Sequence, residues 1–118
     1  MNDAIDVFKA VGEATRFRAL RAMIDAKSDL CACEIIDVLQ KPQYTISKSL
    51  GILVSAGLID ERRDGRMMMY SLVHTPANDA IFAAVGDAPL DGESLGDGDR
   101  LKGRLARRSA GLCVTECL

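Results

Sequence analysis

Apolar residues return at helical spacing along most of the chain. Ala4, Val7, Phe8 and Val11 form the first such set, and Gly12 follows it. Thr15 is placed to cap a second helix whose inward face carries Phe17, Leu20, Met23 and Ile24. Asp29 to Cys31 reads as a short connector. A third helix turns Ile35, Ile36 and Leu39 inward and stops near Lys41-Pro42, because a proline biases the residue before it away from helical dihedrals. A fourth begins at about Gln43 and places Ile46, Leu50 and Leu53 on one face; Gly57 is suited to end it in the left-handed conformation. The period then changes. Leu58–Arg63 and Arg66–Leu72 are extended runs on either side of Asp64-Gly65, a strong hairpin signal. Pro76 opens another helix with Ile81, Phe82 and Val85 apolar. Gly86, Gly92, Gly96, Gly98 and Pro89 make 86–99 a loop, and 100–109 is helical again with Leu101 and Leu105 one turn apart.

Two short helices with a tight joint, followed by a hairpin, give the order of a winged helix-turn-helix. The predicted class is α+β, mostly α, with a two-stranded wing. The chain divides into a DNA-binding and dimerisation domain over 1–85, a Gly-rich loop over 86–99 and a C-terminal extension over 100–118. The second helix of such a pair lies in the DNA major groove. Its polar positions here are Gln43, Thr45, Ser47, Lys48 and Ser49, short donors and acceptors with one cation, suited to base edges and phosphates. Arg62, Arg63 and Arg66 put cations around the hairpin turn, where a wing meets phosphate. The first helix, through Val7, Phe8 and Val11, and the helix after the wing, through Ile81, Phe82 and Val85, offer a homodimer core, and two half-sites of operator DNA need two-fold symmetry.

Composition narrows the classes. With 118 residues, 48% hydrophobic and 27% charged, the chain is globular and large enough for one real core. No apolar stretch approaches the ~20 residues of a membrane span. The acidic start, Met1 to Asp6, lacks a signal-peptide pattern, so a cytoplasmic protein is expected. A net charge of −2 does not announce nucleic acid, but charge is sorted locally. Residues 41–66 carry five bases against three acids, 79–99 carry six acids and no base, and 100–108 carry five bases and no acid. The last segment reads equally as phosphate-binding or as an amphipathic tail helix. The single histidine, His74, excludes any His-rich metal site, and no catalytic carboxylate pair or phosphate loop is visible, so an enzyme is not expected. Met67, Met68 and Met69 alternate faces in a strand and cannot converge on one soft ion.

Five motifs recur in order: Phe8-Lys9-Ala10 with Ala14-Thr15-Arg16-Phe17-Arg18, then Asp29-Leu30-Cys31-Ala32-Cys33-Glu34-Ile35, then Thr45-Ile46-Ser47-Lys48-Ser49-Leu50, then Ala56-Gly57-Leu58-Ile59, and last Arg63-Asp64-Gly65-Arg66 with Tyr70. Together they resemble the ArsR/SmtB family of metal-responsive winged-helix repressors. The likeness spans roughly residues 5–85. It implies a homodimer on a palindromic operator, released when metal binds. The second stretch is similar to the family's metal box, E-L-C-V-C-[DE]-L. Two departures matter. Arsenite-sensing members of one type place a third cysteine three positions after the pair, where Ile36 stands here. Ser49 and Gly51 stand where the family commonly has His and a cation in the recognition helix.

The cysteines carry the candidate chemistry. Cys31 and Cys33 are separated by one residue, Cys113 and Cys117 by three. In a cytosolic protein such pairs favour metal or redox chemistry over structural disulfides. Residues i and i+2 on a regular helix point nearly opposite ways, so Cys31 and Cys33 can share an ion only where the chain is just entering a helix. Cys31-Ala32-Cys33-Glu34 has the form of a capping box with cysteine as the cap, which puts Cys33 in a first turn where the helix dipole favours thiolate. Three thiolates suit As(III), with Sb(III) possible; four would suit Cd(II), Pb(II) or Zn(II). The expected inducer is As(III) on Cys31, Cys33 and a C-terminal cysteine, Cys113 before Cys117. Two alternatives stay open: a thiol-redox-sensing repressor of the same fold, and a metal buffer that does not bind DNA.

Overall fold

The computed structural model describes residues 3–89 and 92–108. Helix α1 (Ala4–Val11) starts at Asp3, whose carboxylate accepts the Asp6 N–H at 2.8 Å. Helix α2 (Ala14–Ala26) is capped by Glu13 and not by Thr15: the Glu13 oxygens accept the N–H groups of Thr15 and Arg16, and Thr15 itself is buried. A two-residue strand β1 (Leu30–Cys31) leads directly into α3 (Ala32–Leu39). Helix α4 (Gln43–Ser55) follows after a joint of three residues, Gln40 to Pro42, and ends as its sequence predicts: Gly57 has φ +79°, and the Leu58 N–H reaches back to the Leu53 carbonyl.

Strands β2 (Ile59–Asp64) and β3 (Met67–Leu72) form the wing, with Gly65 at φ +62° in the turn. The sheet has three strands, in the order β1-β3-β2, all antiparallel. The two-stranded wing is as expected; the third strand of the sheet, β1, was read as a connector, because two residues are too short to show an alternation. Leu30 lies opposite Tyr70 and Cys31 opposite Met69. The segment read as a connector is therefore bonded to the wing.

Leu20, Met23, Leu30, Ile35, Val38, Leu39, Ile46, Leu50, Leu53, Leu58 and Ile59 are almost wholly removed from water and form one core between the helices and the sheet. Burying each such side chain contributes about 1.5–3 kcal/mol before chain entropy is counted. Helix α5 (Pro76–Asp87) packs Phe82 and Val85 into this core against α2. The expectation that those two residues form a dimer core is corrected accordingly. After a 3-10 turn (Gly92–Gly96), helix α6 (Asp97–Ala106) packs on α2 and α3 with Leu101 buried. It begins three residues earlier than the charge pattern suggested. Ile5 and Phe8 on α1 remain exposed. Among the described residues no helix is long and apolar enough to cross a membrane.

Candidate nucleic-acid interface and cysteine box

Helix α4 buries Ile46, Leu50 and Leu53 and turns Gln43, Ser47 and Lys48 to solvent, with Thr45 half-buried. Ser49 was expected on that outward face. It is buried, because it falls beside Ile46, Leu50 and Leu53 and not beside Lys48. Tyr44 was not among the expected contacts, yet it is 78% exposed. Its spacing gives the clue: Ser47 and Lys48 lie three and four residues on, so all three share one face. On the wing Arg62, Arg63 and Arg66 are exposed. Arg62 is engaged within the chain: its Nη1 donates to Asp29 Oδ2 at 2.7 Å, tying β2 to the residue before β1.

The cysteine box sits where β1 becomes α3. Cys31 is the N-cap of α3, with extended dihedrals (φ −87°, ψ 161°), so the opposition of i and i+2 positions on a regular helix does not apply to it. The Cys31 N–H donates to Glu34 Oε1 at 3.1 Å, one arm of the expected capping box. Cys31 is buried and Cys33, in the first turn, is half-buried. Both are disulfide-bonded, where the sequence favoured thiolates held for an ion. The structure therefore describes the oxidised box, and an As(III) ion needs the reduced one. Among the described residues no three Cys, His, Asp or Glu side chains converge as metal ligands. Cys113 and Cys117 lie outside the described residues.

In the basic segment 100–108 Arg104 is buried and Arg100 and Arg108 are half-buried against α3, while Lys102 and Arg107 remain exposed. Arg108 donates through Nε and Nη2 to the two oxygens of Glu34, each at 2.7 Å, and through Nη2 to the Asp29 carbonyl at 2.7 Å. Its hydrogen bonds to Glu34 hold the guanidinium above the usual arginine value, against the opposing effect of burial. Arg107 Nη2 meets Asp37 Oδ2 at 2.6 Å, and Arg100 donates to the Val38 carbonyl. At the other end of α6, Asp97 takes a fork of two bonds from Arg18, at 2.8 and 2.9 Å, both side chains being buried. His74 stands on the chain after β3, largely exposed, with Nδ1 2.7 Å from Asp79 Oδ1.

Residues 13–61, which run from the cap of α2 through the box and α4 into the wing, match the bacterial regulatory protein arsR family. An HTH-type transcriptional regulator of Methanocaldococcus jannaschii is 40% identical over 78 residues, covering 66% of this chain and 86% of that protein. The arsenic resistance transcriptional regulator ArsR2 of Pseudomonas putida is 39% identical over 67 residues, 57% of each chain. A cadmium resistance regulatory protein CadC homolog of Staphylococcus aureus is 29% identical over 70 residues, covering 59% of this chain and 57% of its own. In structure, reduced HlyU from Vibrio cholerae superposes with a TM-score of 0.62 at 22% identity, covering 70% of this chain and 83% of that one. The fold is a winged helix-turn-helix of the kind that DNA-binding regulators use. The chain belongs to the arsR family of transcriptional regulators.

Proposed function

We propose that the protein is an operator-binding repressor, active as a homodimer, that leaves DNA when As(III), or the similar Sb(III), binds Cys31, Cys33 and a thiolate from Cys113 or Cys117. One observation carries this reading. Cys31 belongs at once to β1, bonded to wing strand β3, and to the N-cap of α3, the helix beneath the recognition helix. Drawing Cys31 and Cys33 onto one ion pulls on both elements that would hold DNA. Lys48, Arg63 and Arg66 are the phosphate-facing cations in this account; Gln43, Tyr44, Thr45 and Ser47 stand nearest base edges. Arg62 serves the wing's attachment first. Ile5 and Phe8 of α1 supply exposed apolar surface for the dimer. The site is soft and sulfur-only, which suits a pyramidal trivalent ion; Cd(II), Pb(II) or Zn(II) would call for the fourth thiolate as well. Relatives named for arsenic and for cadmium resistance support a metal(loid) inducer without choosing between them.

A second reading has its own observation. Both box cysteines are disulfide-bonded, so oxidation of the thiols is a candidate signal in the same fold. One experiment separates the two. Operator binding is followed by fluorescence anisotropy with a phosphine reductant present throughout. Arsenite should release wild type, and Cys31→Ser with Cys33→Ser should bind operator yet ignore arsenite. Release of that double variant by arsenite as readily as wild type would remove the box from the mechanism. Release by peroxide alone, with none by arsenite under reductant, would select the redox reading. A cytoplasmic location fits either one.

A further inference from the structure

Helices α3 and α6 run antiparallel along one seam. At one end Arg108 meets Glu34, and further along Arg107 holds Asp37. The other end lies against the joint that leads into α4. The last carbonyls of a helix have no partner inside it and must find donors elsewhere. At the end of α3 the Asp37 carbonyl accepts from the Gln40 side-chain amide, the Val38 carbonyl from Arg100 Nε, and the Leu39 carbonyl from Arg18 Nη2 at 2.9 Å. Two cations there also match the negative end of the helix dipole. These arginines come from α6 and α2, and Asp97 joins them. Its Oδ1 accepts from Arg18 at 2.9 Å and from Arg100 at 2.7 Å, and its Oδ2 takes the second prong of Arg18 at 2.8 Å. Arg18 and Asp97 are buried. The joint itself is strained. Gln40 has φ +57°, in the left-handed region where glycine is the usual residue. A larger residue persists in that region only where its surroundings hold it.

We propose that Arg18 and Arg100, keyed together by Asp97, are positioning residues for DNA recognition, a role that rests on the reading of the protein as a DNA-binding regulator. They clamp the last turn of α3, so that the joint holds α4 at the angle that reads base edges. Arg18 and Asp97 are buried, so they act through the backbone of α3 and not on DNA. Helix α6 is then part of the DNA-reading unit, although it follows the wing in sequence. Only Gln40, Lys41 and Pro42 separate the clamped turn from α4, and Pro42 starts α4 without a side-chain cap. Loosening the clamp lets Gln40 leave the left-handed region, and α4 then pivots at the joint. Phosphate contacts from flexible cations tolerate such a pivot, whereas directed bonds to base edges do not. The signature is lost discrimination with retained grip. A guanidinium is required at position 100 because its rigid fork donates to the Val38 carbonyl and to Asp97 at once; an ammonium has the charge without the span.

The test uses the full-length chain. Wild type first selects a duplex from a random-sequence pool, and affinities for that duplex and for an unrelated one of equal length are compared at one salt concentration. Arg100→Met is the chosen variant: Arg100 is half-buried, and methionine removes both donated bonds while Arg18 keeps its fork on Asp97. Urea unfolding gives the folded fraction, and affinities are expressed per folded molecule. The ratio of selected to unrelated affinity should fall about tenfold, with the unrelated duplex bound as tightly as before. Amide hydrogen exchange, read by mass spectrometry without DNA, should speed about tenfold across the joint. Arg100→Lys should restore part of both, and Lys102→Gln, exposed on the same helix, should change neither. An unchanged ratio alongside a lowered urea midpoint would make Arg100 merely structural and overturn the proposal. So would exchange at the joint of Arg100→Met at the wild-type rate, whatever the DNA result. If wild type selected no duplex at all, the DNA reading would fall, and the exchange rates alone would decide whether the clamp holds the joint.

Discussion

Arg62, Arg63 and Arg66 on the wing and Arg100, Arg104, Arg107 and Arg108 on α6 are two arginine clusters of similar density. The wing residues stand in solvent, and among the described residues only Arg62 meets an acid, at the wing's root. The α6 residues face Asp97, Asp37, Glu34 and the last carbonyls of α3. What separates the clusters is the acids of the α3–α6 seam: Asp97 at the start of α6 itself, and Glu34 and Asp37 of α3, more than sixty residues away in sequence. A run of cations is therefore a nucleic-acid signal only where the fold leaves it without carboxylates. At the wing tip Asp64 stands between Arg63 and Arg66, but among the described residues neither arginine forms an ion pair. The tail helix does not meet that condition, which resolves the two readings that its sequence left open.

The largest expected effect lies in the seam. Arg18→Met removes the fork from buried Asp97, which keeps its 2.7 Å bond from Arg100, and should cost about 2–3 kcal/mol, measured by urea unfolding. A wild-type urea midpoint for Arg18→Met would mean that the seam is not structural. The wing and recognition helix should respond on a different axis. Lys48→Ala and Arg66→Ala should each weaken all DNA sequences and flatten the salt dependence of binding by about one unit, with little change in stability. Arg107→Ala should leave the salt slope alone; a matching change there would erase the distinction between the clusters. Tyr44→Ala should cost about 1 kcal/mol on operator and less on unrelated DNA, because an aromatic on the outward face reads the groove and not the charge. The smallest effect is a gain. Gly51 is helical and exposed, and a Cβ there meets nothing within 4 Å, so Gly51→Ala should stabilise the protein by up to about 1 kcal/mol in the same urea assay.

Elements with several apolar residues in phase were legible from sequence. Helix α4 and its Gly57 stop, and the hairpin at Asp64-Gly65, came from periods and turn chemistry that act within a few residues. Where several weak signals competed, the reading slipped. Thr15 and Glu13 can both cap α2, and the carboxylate reaches two N–H groups at once, so it takes the position. Ser49 is polar by composition but inward by phase, and the helical period was the better guide. That Phe82 faces this chain's own core had no local signature, because it depends on α2, more than fifty residues away, packing against α5. The box was recognisable from its motif, whereas its bond to Met69 across the sheet and its link to Arg108 through Glu34 are contacts between distant segments.

The two residues of β1 set a limit on how the box could answer the ion proposed for it. Side chains alternate across a strand, so sliding Leu30 and Cys31 by one position along β3 would turn Leu30 out of the core and exchange the faces of both. A partial slide has no hydrogen-bonded register to rest in. The strand can stay where it is or come away from β3, with no stable stop between. A pull on Cys31 therefore meets a detent and not a spring. Below the threshold nothing reaches the wing, and above it the edge of the sheet is given up whole.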